Sequence, residues 1–253
     1  MERRRDYPIY RAIRWLVWFF YPRIRVEGAE NLPEGPCIAV GNHTQMNGPI
    51  MAELYFPGKH YTWCAAEMMH AEEVPGYAFT DFWSQKPRWT HGFFKLLSYI
   101  ITPVAVVVFN NADTIPVRRD ARALSTFRET VEKLQQGARV VIFPEQDKPH
   151  NHIVYDFQEG FVDVARFYQR RAKADISFVP VYFAPKLKKM VIGKPVAFDP
   201  NRPIDEERRR ICDAMMDGIT AIAESLPPHT VVPYRNIPKK NYPMNIPQGG
   251  KKA

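Results

Sequence analysis

Apolar runs broken by short polar stretches set the rhythm of this chain, and their period switches between that of a helix and that of a strand. From Pro8 to Tyr21 the residues PIYRAIRWLVWFFY are apolar or aromatic on most sides, with Arg11 and Arg14 near the start and Arg23 and Arg25 just beyond. The pattern predicts an amphipathic N-terminal helix, too short to span a bilayer, which takes roughly 20 apolar residues. A helix lined with Trp, Phe and Leu and flanked by Arg suits the plane of a membrane interface, and it equally suits packing on the chain's own domain. The next run, Phe93 to Phe109, is interrupted by Lys95, Ser98 and Thr102-Pro103. It is expected to break into a helix from about Thr90 to Ile101 and a strand, AVVVF.

Downstream, Leu124, Phe127, Val131 and Leu134 recur at helical spacing between Asp120 and Gln136, and Gly137 stands where a helix end favours a left-handed residue. The strand RVVIF follows directly. A helical pattern over Phe157 to Arg171 leads into the strand SFVPVYFAP, then MVIGKPVAF, and a charged-then-apolar helix from Pro203 to Leu226. Strands apolar at every position are buried on both faces, so the fold class expected is α/β, a single domain with a largely parallel or mixed sheet covered by helices. The organisation expected is a membrane-interface helix over residues 1–25, an α/β domain over 26–230 and a Pro/Lys-rich tail over 231–253, extended or disordered.

Composition narrows this only slightly. Hydrophobic residues at 45% and charged residues at 25% of 253 are ordinary for a folded globular chain. A net charge of +8 draws the chain to polyanions, including anionic bilayers and phosphorylated substrates. Nucleic acid is not an expected partner, because the basic residues carry no recognition signature. Cys37, Cys64 and Cys212 are widely spaced and odd in number, which fits a reducing cytoplasm. No cleaved signal peptide is read at the N-terminus, since Arg11 and Arg14 interrupt the apolar stretch and no small-residue cleavage site precedes Pro22.

Three short motifs sit at the ends of expected strands, where open α/β sheets hold their ligands. Asn42-His43 follows the strand CIAV, and an imidazole there can take a proton from a substrate hydroxyl near neutral pH. Arg118-Arg119 ends the second motif with two guanidiniums suited to a phosphate. Ile142-Phe143-Pro144-Glu145 brings a carboxylate to the end of a buried strand. His150 and His152 follow closely, without a spacing that favours a metal, and no metal is expected.

In this order the motifs resemble the glycerolipid acyltransferase family, which shows an NH-x4-D block, a G-x-I-x-V-x-R block, an F-P-E-G-T-R-S block and a V-P-V/I strand. The corresponding stretches are NHTQMNGP from Asn42, DTIPVRR from Asp113, IFPEQDK from Ile142 and FVPVYF from Phe178, and the resemblance covers about Val26 to Pro200. It implies a glycerol-3-phosphate acyltransferase-like fold at the cytoplasmic membrane face. The implied reaction moves an acyl chain from acyl-CoA or acyl-carrier protein to a lysophospholipid or glycerol phosphate, with no cofactor. His43 takes the catalytic role of general base. Asn42, Asn47, Arg119, Pro144, Glu145 and Lys148 form the implied substrate-binding set.

Two departures from the family pattern stand out. Gly48 occupies the position of the aspartate that orients the histidine, and Gln146-Asp147-Lys148 replaces Gly-Thr-Arg. Asn47 can hydrogen-bond an imidazole but carries no charge, and Asp147 or Glu145 are the nearest carboxylates by motif. The alternative these departures open is a weakly active or non-catalytic lipid-binding relative.

Overall fold

A computed structural model of the chain describes residues 7–118 and 123–246, and the chain divides into two compact units, Met1–Pro22 with Trp63–Thr126, and Arg23–Thr62 with Phe127–Ala253. The expectation at Arg119 lies outside the described residues.

The second unit is built on a mixed, mostly parallel sheet. Its strands are β1 (Arg25–Glu27), β2 (Ile38–Gly41), β3 (His60–Ala65, which enters the other unit at Trp63), β5 (Arg139–Ile142), β8 (Ser177–Ala184), β9 (Lys189–Ile192) and β10 (Val196–Ala197); β4 (Thr114–Val117) belongs to the first unit. The order runs β1-β9-β8-β2-β5-β3. Pairings of β2 with β5 and β8, of β3 with β5, and of β1 with β9 are parallel, whereas β9 and β10 run antiparallel to β8. Residues apolar at every position lie buried on both faces: all four of β2 and the last seven of β8 are buried. Helices α2 (Asn47–Tyr55), α5 (Ala123–Gln135), α6 (Asp163–Ala172) and α7 (Ile204–Ser225) accompany this sheet, and a hairpin of β6 (Glu145–Pro149) and β7 (Tyr155–Phe157) stands apart from it. Gly137 ends α5 at φ 78, as its position predicts.

The described residues after α7, up to 246, form no long helix or strand, yet they do not trail free. The side chain of Asn245, fully buried, donates to Ala223 O at 2.8 Å and accepts from His229 N–H at 2.7 Å. Tyr182 Oη lies 2.8 Å from His229 Nε2, Val231 N–H donates to Pro243 O at 2.8 Å, and His152 Nε2 sits 3.1 Å from Asn245 O. A proline-rich composition concealed this, because the bonds come from buried Asn and His side chains that show no periodicity.

The first unit contains α1 (Tyr7–Phe20), α3 (Val74–Ala78), α4 (His91–Asn111) and β4. The expected break at Pro103 does not occur: AVVVF continues α4, with Pro103 inside it. Proline removes one backbone donor and strains the preceding turn, but α4 packs along α1 and α3, and helix–helix packing outweighs that local penalty. Its buried positions are small or polar, Ser98, Thr102, Ala105 and Asn111, while Phe93, Leu96, Tyr99, Ile100 and Val104 are exposed. Thr102 Oγ1 donates to Ser98 O at 2.8 Å, so the buried hydroxyl is satisfied within the helix. On α1 only Tyr10 is buried, and Trp15, Leu16, Phe19 and Phe20 face outward. Arg88–Asn111 is long and apolar enough to cross a membrane by length and composition.

Candidate active site

His43 sits immediately past the C-terminal end of β2, where the chain turns into α2. The next two residues, Thr44 and Gln45, have φ of 45° and 57°, a left-handed conformation that side chains other than glycine rarely adopt and that a β-branched threonine resists. Strain of this kind persists only where surrounding bonds over-determine the backbone. Here Gly48 N–H donates to His43 O at 3.1 Å and Asn47 N–H to Thr44 O at 3.1 Å. Gln45 Nε2 donates to Tyr242 Oη at 2.9 Å and to Arg235 O at 3.3 Å. The turn is thus held from within and from the C-terminal segment.

Glu145, 4% exposed, grips the same turn from the start of β6. One carboxylate oxygen accepts the backbone N–H of His43 at 2.5 Å, and the other accepts the N–H of Tyr155 at 2.9 Å. Burial pushes its carboxyl up to about 7, against the pull of those two N–H groups. Glu145 therefore joins the first and third sequence blocks through the backbone, and it does not contact the imidazole ring by any hydrogen bond.

The ring itself lies between Phe143 and Tyr234, at centroid distances of 5.3 and 5.7 Å, edge to face with both. Burial among these rings lowers the His43 pKa to about 4, with the Gln45 backbone pulling the other way, so the imidazole is neutral at physiological pH. Its Nδ1 is buried without a hydrogen-bond partner. No carboxylate can reach it from position 48: a Cβ on Gly48 would meet His43 O at 2.5 Å and Phe143 Cε1 at 2.9 Å. Asn47 turns its Nδ2 to Thr44 O at 3.0 Å. Asp147 pairs instead with Arg235, Nε to Oδ1 at 3.2 Å.

The remaining expected site residues divide by what their polar atoms already do. Asn42 is buried and forms a two-way bond with the backbone of Phe183, accepting at 2.8 Å and donating at 3.2 Å, which ties the end of β2 to β8. Pro144 is buried, and its carbonyl accepts Gln158 N–H at 2.9 Å. Lys148 is exposed on the hairpin and pairs with Asp156 at 3.4 Å. The sequence motifs contain Phe143 without giving it a role, and they miss Tyr155, Tyr234 and Arg235. Tyr155 and Tyr234 approach each other at 5.7 Å, so the C-terminal segment walls the histidine. The signal available was the pair of aromatics, Tyr234 and Tyr242, inside an otherwise polar, proline-rich stretch.

A neutral imidazole so placed can accept a proton from an alcohol as that alcohol attacks a carbonyl carbon. Without a carboxylate on Nδ1, the resulting cation is stabilised less than in a His/Asp pair.

A model of the Acyltransferase family matches residues 83–184. The matched stretch takes in the second, third and fourth blocks and leaves out His43 and Gly48, where the departure from the block pattern falls. The fold is similar to that of the 1-acyl-sn-glycerophosphate (LPA) acyltransferase PlsC from Thermotoga maritima, at 18% identity and a TM-score of 0.50, over 90% of this chain and 86% of that one. No curated protein sequence matches the chain.

Proposed function

We propose that the chain, which a model of the Acyltransferase family matches over residues 83–184, transfers a fatty acyl chain from acyl-CoA or acyl-carrier protein to the hydroxyl of a lysophospholipid or glycerol phosphate. His43 removes the hydroxyl proton, the oxygen attacks the thioester carbonyl, and the carbon–sulfur bond breaks to release the thiol, which takes up the proton. The observation that carries this reading is the grip of Glu145 on His43 N–H, which fixes a neutral imidazole at the sheet's C-terminal edge.

Membrane lipid is the proposed second partner. The outward apolar residues of α1 and α4 support a peripheral seat on an anionic, cytoplasmic membrane face, with Trp15, Phe19 and Phe20 in the interfacial layer. The buried, unpartnered Nδ1 favours one rival, a lipid-binding relative without catalysis.

Both readings meet one assay. Purified protein and His43→Ala are incubated with labelled acyl-CoA or acyl-carrier protein and a panel of lysophospholipids and glycerol phosphates on anionic liposomes. The parent is expected to transfer label and the variant to lose at least about 100-fold in rate. Silence of the parent across the panel overturns the enzyme reading in favour of binding alone.

A further inference from the structure

We propose that Arg235, carried to the histidine by the anchored C-terminal segment, is a specificity-determining residue that holds the acceptor's phosphate. The proposal rests on the acyltransferase reading and deepens it, because it names an anionic, phosphate-bearing acceptor for that site.

The third sequence block offers no guanidinium, and the cation it does offer is turned aside: Lys148 is exposed and leans on Asp156. Arg235 reaches the same hairpin from 87 positions downstream in sequence. Three contacts fix it there. Its carbonyl accepts from Gln45 Nε2, two residues past His43; its neighbour Tyr234 lies edge-on to the His43 ring; and its guanidinium meets Asp147, two residues past Glu145. The base of the segment is locked by Asn245 and His229, so the placement is not that of a loose tail.

Asp147 is a weak occupant of that guanidinium. The pair is solvent-facing, with side chains 47% and 73% exposed, and exposed single ion pairs are screened and contribute little. The contact with Asp147 runs through Nε at 3.2 Å, whereas a phosphate can take two parallel N–H groups of the fork and carries more negative charge. A phosphate-bearing acceptor therefore displaces Asp147, which swings into solvent, and its hydroxyl end is left beside His43.

Opposite signs from the two members of one ion pair provide the test. Binding of short-chain lysophosphatidic acid and of the matching phosphate-free monoacylglycerol is measured by calorimetry on the full chain, below the lipids' micellar concentrations, for the parent, Arg235→Gln and Asp147→Asn. The proposal expects Arg235→Gln to weaken lysophosphatidic acid binding about tenfold or more, Asp147→Asn to leave it equal or tighter, and neither to move monoacylglycerol binding. If the pair serves only to pin the segment, both variants break the same bridge and weaken both ligands together, which overturns the proposal. No preference of the parent for the phosphate-bearing lipid overturns it as well. Because turnover is not needed, a protein that shows the expected pattern but transfers no acyl chain refutes the enzyme reading and leaves this site standing.

Discussion

Helix α4 and strand β8 are both read from the sequence as apolar, yet they put their large side chains to opposite uses. Along β8, Phe178, Val179, Val181, Tyr182 and Phe183 are all buried, and the same is true of their neighbours on β2. Along α4, Phe93, Leu96, Tyr99, Ile100 and Val104 are each more than half exposed, while serine, threonine and alanine face inward. Water favours the first arrangement and penalises the second, and a face of that size on a folded domain marks a surface for lipid or protein. The difference teaches that hydropathy measures what a segment will leave water for, and says nothing about whether the destination is the chain's own core.

The largest expected effect comes from placing a charge on the inward side. Val179→Asp buries a carboxylate in the central strand without a partner and is expected to cost more than about 4 kcal/mol, enough to abolish cooperative unfolding by circular dichroism at 25 °C. A variant that melts within a few degrees of the parent would break the contrast.

Next in size is Gly48→Asp, which installs the carboxylate of the family pattern. Because the new Cβ meets a backbone oxygen, the substitution is expected to destabilise by about 1–3 kcal/mol and to lower transfer rather than restore it. A faster enzyme of parental stability would refute the packing argument.

Glu145→Gln should act through both positioning and pH. Gln can accept only one of the two N–H bonds well, so a loss of about 1–3 kcal/mol is expected from the buried donor left unpaired. His43, held down to about 4 from 6.5, is neutral in the fold where the unfolded chain is protonated, so its contribution to stability grows as pH rises through that window. Glu145, held up to about 7 from 4.5, keeps a proton that the unfolded chain has lost, so its contribution shrinks as pH rises between those values. The two oppose each other between 4.5 and 6.5. Removing Glu145 is expected to make the thermal midpoint climb more steeply with pH across that range than in the parent, whereas an unchanged profile would mean that Glu145 is not shifted as stated.

Smallest in stability is the outward face. Leu96→Glu with Ile100→Glu is expected to change stability in detergent by less than about 0.5 kcal/mol per site, and to reduce flotation with anionic liposomes. A large drop in melting temperature would mean that this face is covered by protein instead.

Much of the α/β core was legible because strands apolar at every position have few destinations other than the middle of a sheet. His43 and Glu145 were legible as well, since each follows a buried strand in a recognisable block. The relation between them was not: the carboxylate was expected near substrate or ring, and it bonds backbone instead. The bond of Asn42 across the sheet, and Tyr234 and Arg235 altogether, were missed for a common reason. Their partners lie 141, 191 and 88 positions away, at Phe183, His43 and Asp147, and no local period reports such contacts.

The sequence by itself determined the central strands β2, β5 and β8, the left-handed end of α5 at Gly137 and the missing carboxylate at position 48, because burial, backbone freedom and residue identity are local properties. Tertiary structure decided that α4 runs unbroken through Pro103, that the proline-rich segment closes over the histidine, and that Arg235 stands beside Asp147. Each of these depends on packing or hydrogen bonds between residues distant in the chain, whose energies exceed the local preferences that a sequence displays.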